Sequence, residues 1–341
     1  MKVLVTGGTG YIGSHTAVEL IEAGHTVVIC DNLSNSDEKT LDRIEKITGV
    51  RPQFYELDLT DSGGVHKLFS QQNDCSGVIH FAASKAVGES VDRPLQYYRN
   101  NLNTLINILD CMHEYGMDNF VFSSSCTVYG QPDTLPVTEE TPVVKPESPY
   151  GNTKKIAEEI IADTVHAGLI MKAVLLRYFN PIGAHGSARL GELPTGVPDN
   201  LVPYITQTAY GIRDKLKVFG NDYDTRDGSC IRDYIHVVDL AQAHIVALER
   251  MIQGRNKQPC EVFNIGTGTG YTVLEAIDSF ERVSGVKLDY EIVGRRPGDI
   301  EKIWADVSLS ERELGWKAVR TLDEMMDSAW RWEKNYRSNT V

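Results

Sequence analysis

The chain has 341 residues, of which 41% are hydrophobic and 24% charged, so it is long enough to bury a large core or to form two domains. Its formal net charge of -13 argues against a nucleic acid or an anionic membrane surface as a partner. Six cysteines stand singly with no C-x-x-C pair, which is typical of reduced thiols in the cytoplasm, and we expect no metal site.

The first predicted element is a buried strand, Lys2–Thr6, that ends in the glycine-rich turn of KVLVTGGTGYIG. Because it begins at residue 2 we expect no signal peptide, and no apolar run in the chain approaches membrane-spanning length. Gly7, Gly10 and Gly13 recur at every third position, which suits a tight turn, a bare backbone against a pyrophosphate and close helix packing. A helix is predicted over residues His15–Glu22, and its N-terminus would direct N–H groups at the phosphates.

A second buried strand, Thr26–Cys30, is followed at once by Asp31, about 20 residues beyond the glycines. A carboxylate at this point accepts hydrogen bonds from the ribose hydroxyls of adenosine and repels a 2′-phosphate, which favours NAD over NADP. A turn or helix cap is the alternative interpretation of Asp31. Asp58 follows the third predicted strand and is either a contact for adenine or a helix cap.

Strand-like runs alternate with helical or loop segments through the first half of the chain, as in an α/β, doubly wound, parallel Rossmann-type sheet. The predicted strands are Lys2–Thr6, Thr26–Cys30, Gln53–Leu57, Gly77–Phe81, Asn119–Ser124 and Lys172–Tyr178, with Glu261–Ile265 as a candidate for one more. Prolines and glycines crowd the stretch after Asn180. We therefore predict an NAD-binding Rossmann domain over 1–180, with a returning segment at about 235–265, and a smaller, loop-rich α+β substrate domain over 181–341.

Two predicted helices, at about 94–116 and 150–166, are candidates for a subunit interface. The first carries an apolar stripe, Leu102, Leu105, Ile106, Leu109 and Met112, at helical spacing. Packing against the sheet is the simpler interpretation of this stripe. The alternative is a homodimer in which two helices from each subunit form a four-helix bundle.

Tyr150 and Lys154 lie four residues apart in SPYGNTK, so a helix that begins near Ser148 places both on one face. A free tyrosine has a pKa of about 10, and work as a base near neutral pH requires a reduction by ~3 units, roughly 4 kcal/mol. Burial acts in the wrong direction, whereas one cation a few ångströms away contributes on the order of 4 kcal/mol. Lys154 would supply one such charge and oxidised nicotinamide a second, so the pair makes chemical sense beside NAD. An exposed helical Tyr/Lys pair is the alternative.

Hydroxyl side chains follow the predicted strand that ends near Ser124. Residues 123–125 are all serine, and Thr127 comes shortly after them. Ligands bind at the carboxyl end of parallel strands, so Ser125 or Thr127 could hydrogen-bond a sugar hydroxyl and shape proton transfer. A simple turn with self-capping serines is the alternative.

These motifs carry a family resemblance. The set TGGTGYIG, Asp31, SSSCTVYG and YGNTK resembles the extended short-chain dehydrogenase/reductases that act on nucleotide sugars. Longer stretches are similar to the UDP-galactose 4-epimerase family, namely HFAASKAVGESV, LLRYFNPIGAH, FGNDY, RDYIHVVDLA, WADVS and LGWK. The resemblance spans nearly the whole chain.

The resemblance implies a mechanism that interconverts UDP-galactose and UDP-glucose. Tyr150 takes the proton of the sugar 4-hydroxyl while a hydride passes to tightly bound NAD, and Lys154, Ser125 and Thr127 assist. The transient 4-keto sugar then turns about its pyrophosphate link, and the returned hydride inverts carbon 4. The cofactor is regenerated in each turnover.

The resemblance also implies contacts for both ligands. Besides Gly7, Gly10 and Gly13, the implied cofactor contacts are Tyr11, Ile12, Asp31, Asn32, Asn35, Asp58, Leu59, Phe81, Ala82, Lys85, Asn100, Ser125, Tyr150, Lys154 and Phe179. The implied substrate contacts are Lys85, Ser125, Tyr150, Asn180, Asn200, Leu201, Lys217, Phe219, Arg232, Arg296, Asp299 and Ile303. Arginines also suit this role on chemical grounds, because a guanidinium group pairs with pyrophosphate oxygens.

Two positions discriminate within the group. Sugar-nucleotide 4,6-dehydratases resemble this chain but carry an Asp–Glu pair where it has Cys126 and Thr127, so dehydration is not expected. Ile303 stands where the resemblance implies a gate beside carbon 2 of the sugar. Tyrosine there goes with plain hexoses and small residues admit N-acetyl groups, so Ile leaves activity on UDP-N-acetylhexosamines open.

Two other readings of the same motifs compete with epimerisation. A net oxidoreductase, or an epimerase for another sugar nucleotide such as a uronic acid, would share the cofactor motif. Net oxidation would require the cofactor to exchange. A non-catalytic NAD-binding sensor would keep the Gly7–Gly13 turn without needing both Tyr150 and Lys154.

Overall fold

The protein is described by a computed structural model over residues 1–296 and 298–338. Within these residues the strands are β1 (Lys2–Thr6), β2 (Thr26–Asp31), β3 (Gln53–Glu56), β4 (Gly77–His80), β5 (Asn119–Ser123), β6 (Lys172–Tyr178), β7 (Asn180–Ile182), β8 (Leu216–Phe219), β9 (Ile231–His236), β10 (Cys260–Ile265), β11 (Gly270–Thr272), β12 (Tyr290–Val293) and β13 (Lys302–Ile303). The helices are α1 (Tyr11–Glu22), α2 (Lys39–Thr48), α3 (Ser62–Gln71), α4 (Val87–Asp92), α5 (Pro94–Glu114), α6 (Pro149–His166), α7 (Leu201–Ala209), α8 (Val237–Ile252), α9 (Val273–Ser284) and α10 (Leu322–Ser338).

The larger sheet has seven parallel strands in the order β10-β6-β5-β4-β1-β2-β3. This arrangement confirms the predicted α/β, doubly wound fold, including the late strand β10. Predicted boundaries differ from the observed ones by one residue at several strands. Asp31 is the last residue of β2 and not the residue after it, while Phe81 and Ser124 lie just beyond β4 and β5.

Strand β1 shows why short apolar runs predict this sheet. Val3, Leu4 and Val5 are all fully buried, because helices cover both faces of the sheet. Val3 and Val5 belong to the core under α1, α2 and α8, whereas Leu4 belongs to the core under α3, α5 and α6. The alternation follows from the two-residue period of a strand.

The rest of the chain forms a smaller unit with its own core. Strands β11, β9 and β13 form a sheet that β7 joins through β9, and β12 pairs with β8. Helices α7, α9 and α10 pack around a core that includes Ile205, Phe280 and Met326. Between these elements the chain returns to the larger sheet, since α8 packs in its core and β10 pairs with β6.

The apolar stripe of α5 divides between the core and the surface. Leu105, Leu109 and Met112 are buried in the core beneath α3, α5 and α6, and Leu102 packs against it. Ile106 is 40% exposed. Packing against the sheet therefore accounts for most of the stripe. Within the described residues, every helix is too short or too polar to cross a membrane.

Candidate active site

The glycine turn between β1 and α1 is too crowded for side chains. Gly7 has φ of +67°, and a Cβ atom there would lie 2.7 Å from the Ala82 nitrogen. A Cβ on Gly13 would lie 2.3 Å from the Gly7 oxygen. Helix α1 begins at Tyr11, four residues before the predicted start. Its N-cap is Gly10, which has no side chain to cap the first N–H groups. The bare turn and the uncapped helix start suit a pyrophosphate.

Asp31 lies buried beside this turn at the end of β2. One carboxylate oxygen accepts a hydrogen bond from the Thr9 N–H at 3.1 Å, and the other accepts from the Leu33 N–H at 3.0 Å and the Ser36 hydroxyl at 3.2 Å. A carboxylate offers about four acceptor positions, so one remains for a ribose hydroxyl. The turn-capping and ribose-binding interpretations are therefore compatible.

Polar residues continue along this edge of the sheet. Asp58 accepts hydrogen bonds from Asn32 at 3.3 Å and from the N–H of Thr60 at 2.9 Å, so it caps its own turn. Asn35 accepts a hydrogen bond from Thr195 at 2.8 Å. Since Thr195 lies between β7 and α7, the contact ties the smaller unit to the edge of the larger sheet.

The sequence at the start of α6 sets the position of the predicted Tyr/Lys pair. Ser148 is the N-cap and accepts the Gly151 N–H at 3.1 Å, and Pro149 occupies the first turn. Tyr150 and Lys154 follow on consecutive turns, with only 8% and 5% of their surfaces exposed. Both are buried, which excludes the exposed-pair interpretation.

Lys154 is held under the end of β5. Its Nζ donates to the carbonyl oxygen of Ser123 at 2.7 Å and lies 4.7 Å from the centroid of the Phe122 ring. Burial lowers the pKa of Lys154 to about 8, with the Glu158 carboxylate acting in the opposite direction. A lysine in this setting can exchange its proton near neutral pH.

Tyr150, Lys154, Ser125 and Thr127 form the dyad cluster. Burial raises the pKa of Tyr150 well above its usual value, and a hydrogen bond with Ser125 acts in the opposite direction. Ser125 also accepts the Thr127 N–H at 3.3 Å, which starts a short 3₁₀ turn over Cys126–Tyr129. The buried Thr127 hydroxyl has no hydrogen-bond partner among the described residues. An unpaired buried hydroxyl is costly, and a ligand hydroxyl would satisfy it.

Arg232, Arg296, Asp299 and Phe219 form a second group, the arginine cluster. Asp299 accepts from Arg296 at 2.7 Å and lies 3.8 Å from the guanidinium of Arg232. The Arg296 guanidinium lies 5.4 Å from the centroid of the Phe219 ring. Lys217 shares the exposed face of β8 with Phe219, two residues away. The cluster brings positive charge to the smaller unit, as an anionic ligand would require.

Lys85 and Asn200 meet through Glu192, which the sequence did not single out. The Glu192 carboxylate accepts from Asn200 at 2.7 Å and lies 3.6 Å from Lys85 Nζ. Tyr11 donates nearby to the Gly183 carbonyl at 2.6 Å, and Glu192 contributes to raising its pKa after burial, which is the larger cause. No local motif reveals Glu192, because Asn200 lies in the same loop-rich stretch without a recognisable spacing and Lys85 is distant in the chain.

Ile303 lies closer to the dyad cluster than its place in the chain indicates. It pairs with Arg232 in the register of β13 with β9, and it packs with Cys126 and Phe179 in a small apolar core. Only 1% of Ile303 is exposed. Its side chain therefore fills the wall behind the 3₁₀ turn.

The remaining predicted contact residues lie at the ends of strands or at the starts and faces of helices in both units. Ala82 and Phe81 follow β4, and Asn100 on α5 donates to the Ser84 hydroxyl at 3.1 Å. Asn180 is half-buried in β7, and Leu201 is the first residue of α7. Ile12 and Leu59 pack with the two cores of the larger sheet.

Known proteins resemble this chain over its full length. The family model described as GDP-mannose 4,6 dehydratase matches residues 4–329. The chain is 51% identical to the UDP-glucose 4-epimerase of Bacillus subtilis (strain 168), over 98% of this chain and 97% of that protein. It is 50% identical to the human UDP-glucose 4-epimerase, over 98% of this chain and 96% of that protein.

Solved structures show the same similarity. The UDP-glucose 4-epimerase of Bifidobacterium longum, in complex with NAD+ and UDP, matches with a TM-score of 0.94 and 45% identity over 99% of both chains. The UDP-glucose 4-epimerase of Stenotrophomonas maltophila, with bound NAD and formylated UDP-arabinopyranose, matches with a TM-score of 0.95 and 47% identity over 100% of both chains.

Proposed function

The chain belongs to the UDP-glucose 4-epimerase family, and from this premise we propose that it interconverts UDP-glucose and UDP-galactose with NAD as its bound cofactor. The dyad cluster carries the proposal, because a buried Tyr150 and Lys154 stand beside the serine turn at the carboxyl end of β5. A sensor that only binds NAD has no use for a buried lysine at this place, since its burial is costly.

NAD supplies a reversible hydride acceptor for carbon 4. The residues that would hold it are the glycine turn, Asp31 and the edge that runs from Asn32 to Asp58. The fit rests on the crowding at Gly13 and on the free acceptor position of Asp31.

Tyr150 would accept the proton of the sugar 4-hydroxyl and return it after the sugar has turned. Burial raises the pKa of this phenol, so the phenolate needs positive charge close by. The Lys154 ammonium supplies it from one helical turn away. Ser125 and the unpaired Thr127 hydroxyl would hydrogen-bond the reacting oxygen and fix its distance from the phenol.

The arginine cluster would hold the pyrophosphate while the transient 4-keto sugar rotates to present its other face. Arg232 and Arg296 share the carboxylate of Asp299, which keeps both guanidinium groups in place without full neutralisation. A fixed pyrophosphate and a free sugar together allow hydride return to the opposite face, so inversion at carbon 4 results.

The proposed division into two ligand-binding domains follows the cores of the larger sheet and of the smaller unit. We propose that residues 1–180, with the returning segment at about 235–265, form the NAD-binding domain, and that residues 181–341 form the UDP-hexose domain. Pro297 and residues 339–341 of that range lie outside the described residues. The links across the boundary, Asn35 with Thr195 and Lys85 with Glu192, would close the smaller domain over the cofactor.

A homodimer through α5 and α6 is part of the proposal, as is a cytoplasmic location. Ile106 on α5 is 40% exposed and Leu95 is 66% exposed, which leaves apolar surface for a partner helix. All six cysteines are free thiols, as a reducing compartment requires. Light scattering should give twice the chain mass at micromolar concentration, and a monomer would contradict the bundle.

Activity on UDP-N-acetylhexosamines depends on Ile303. Because Ile303 packs in the wall behind the 3₁₀ turn, shortening it would enlarge that side of the site. We expect Ile303→Ala to raise kcat/KM for UDP-N-acetylgalactosamine relative to UDP-galactose by about 10-fold, the lower end of what one methylene group contributes in an apolar pocket. The matched control is Ile205→Ala, a buried isoleucine in the core of the smaller unit. An unchanged ratio in Ile303→Ala would contradict the gate.

The direct test is incubation of the purified protein with UDP-galactose and no added cofactor, followed by analysis of the sugar nucleotide. We expect UDP-glucose to form and the absorbance of the sample to show no accumulation of reduced cofactor. A requirement for added NAD, with an oxidised sugar as product, would instead identify a net oxidoreductase.

A further inference from the structure

A buried carboxylate lies directly behind the dyad cluster. Glu158 is one helical turn beyond Lys154, so Tyr150, Lys154 and Glu158 occupy one face of α6. Glu158 is 7% exposed. The hydroxyl of Ser124 donates to its Oε1. Arg177 on β6 donates to the carboxylate from Nε at 3.0 Å and from a terminal nitrogen at 2.6 Å.

The contact with Ser124 connects Glu158 to both members of the dyad. Ser123 accepts Lys154 Nζ through its carbonyl, and Ser125 hydrogen-bonds Tyr150. Ser124 is the residue between them, and it is fully buried. A carboxylate that fixes the middle serine therefore fixes the orientation of the two that touch the dyad.

The other end of this network is anchored in the sheet. Arg177 also donates to the Tyr129 hydroxyl at 3.0 Å, and that hydroxyl donates to Asn264 on β10 at 2.7 Å. Three structural elements, β6, β10 and the 3₁₀ turn, thus hold the guanidinium that holds Glu158. A network with all its members satisfied is rigid.

We propose that Glu158, held by Arg177, is a positioning residue for the reaction, fixing the serine turn 123–125 against α6 and sustaining the positive charge of Lys154. The inference rests on the proposed function, since it concerns the proton transfer at Tyr150. Glu158 touches neither ligand site directly and acts through Ser124 and Lys154.

The charges around Lys154 support the second half of this role. Four elements bring a group to Lys154: α6 brings Glu158, β5 the Phe122 ring, β4 His80 and α8 His244. Burial lowers the pKa of His80 to about 3 and that of His244 to about 4, so both are neutral near pH 7. Glu158 supplies the negative charge in this group, and its loss would let Lys154 release its proton at lower pH.

The chain contains a matched control. Arg250 donates to the two oxygens of Glu261 at 2.7 and 3.0 Å, and the side chains are 5% and 8% exposed, against 7% and 9% for Arg177 and Glu158. This second buried ion pair joins α8 to β10 and has no contact with the dyad among the described residues. Breaking it costs the fold about as much and leaves Lys154 untouched.

The experiment compares Glu158→Gln with Glu261→Gln in the purified full-length protein. We expect kcat of Glu158→Gln for UDP-galactose to fall on the order of 10²-fold with little change in KM, because the serine turn shifts while the arginine cluster that would hold the pyrophosphate is unchanged. The alkaline limb of its kcat profile should move to lower pH. Glu261→Gln should lose similar thermal stability and keep kcat within about twofold.

Proton–carbon NMR correlation spectra of the protein with lysines labelled at Cε provide a measurement that does not depend on turnover. The Lys154 signal is assigned by its loss in Lys154→Arg. We expect the titration midpoint of Lys154 to fall by about one pH unit in Glu158→Gln and to stay in place in Glu261→Gln. Equal midpoints in both variants would overturn the proposal, as would equal losses of kcat.

A double variant covers the case in which Glu158→Gln does not fold, because an unpaired buried arginine is strongly destabilising. Glu158→Gln with Arg177→Met removes both charges, and Glu261→Gln with Arg250→Met is its control. The same loss of kcat and the same lowered midpoint are expected in the first pair alone. If wild type itself fails to convert UDP-galactose, the proposed function is wrong, whereas the lysine midpoints still decide the electrostatic role of Glu158.

Discussion

The dyad cluster and the arginine cluster are both polar, but the protein treats them in opposite ways. Tyr150 and Lys154 are 8% and 5% exposed, and burial perturbs both pKa values. In the arginine cluster the Arg296 side chain is half exposed, and it forms an ion pair with Asp299, three residues later in the chain. The comparison teaches that one cluster keeps ionisable groups buried at a cost in stability, whereas the other keeps a charged group near the surface at little cost.

The largest effect should come from the buried phenol. Tyr150→Phe removes the proposed proton acceptor, and we expect kcat to fall on the order of 10³–10⁴-fold while bound NAD is retained. Turnover assays and the NAD content of the purified variant measure this. The control is Tyr55→Phe on β3, whose hydroxyl pairs with Gln53 and Gln72 away from the site. Near-normal turnover in Tyr150→Phe would refute the assignment of the base.

Lys154 should show the conflict between chemistry and stability most directly. Its pKa falls from 10.5 to about 8 on folding, so the folded protein must hold a buried charge below pH 8. Lys154→Met should therefore abolish most activity and yet raise the free energy of unfolding by about 3 kcal/mol at pH 7.

The sign of this effect follows from proton binding. Between pH 8 and 10.5 the unfolded chain keeps the Lys154 proton that the folded protein has lost, so wild-type stability rises with pH through this window. The gain from Lys154→Met is thus greatest below pH 8 and disappears above 10.5. Denaturant unfolding at several pH values checks it. Lys172→Met, which also removes a lysine bound to a carbonyl oxygen, is the control and should gain nothing. A less stable Lys154→Met at pH 7 would contradict the cost assigned to burial.

The smallest effect on the fold should come from the arginine cluster. Arg296→Ala removes one guanidinium from the proposed pyrophosphate site, and we expect KM for UDP-galactose to rise about 10-fold with kcat within twofold. Its melting temperature should stay within about 2 °C, because an ion pair with a half-exposed arginine contributes ~0–1 kcal/mol and Asp299 keeps Arg232 beside it. Arg282→Ala, which breaks a comparable exposed pair with Asp323, should leave KM unchanged. A large fall in kcat for Arg296→Ala would show that this arginine takes part in the reaction, and it would contradict the difference drawn between the two clusters.

Local patterns in the sequence revealed the parts of the site that depend on spacing. Gly7, Gly10 and Gly13 predicted the crowded turn, and the four-residue interval of Tyr150 and Lys154 predicted a shared helical face. Strand runs predicted the larger sheet to within one residue at most boundaries, since a buried parallel strand needs a continuous apolar run. The start of α1 was misjudged, because Gly10 caps the helix without a side chain that would mark it.

Partners that are distant in the chain stayed hidden. Glu158 reads as an ordinary helix residue until Arg177 from β6 and Ser124 from the end of β5 meet it. Glu192 likewise gains meaning only where Lys85 and Asn200 converge on it. Neither pairing follows from a motif, since the first depends on β5 and β6 being neighbours in the sheet and the second on how the loops after β4 and β7 meet.

The sequence by itself determined the glycine turn, the succession of strands and helices along the chain, and the residue types of the dyad, because backbone sterics and helical or strand periodicity act over a few residues. Only the tertiary structure decided that the dyad is buried, that a glutamate stands behind its lysine, and that Ile303 lines the wall beside it. Burial and charge compensation depend on packing between segments far apart in the chain, and local spacing carries no record of that packing.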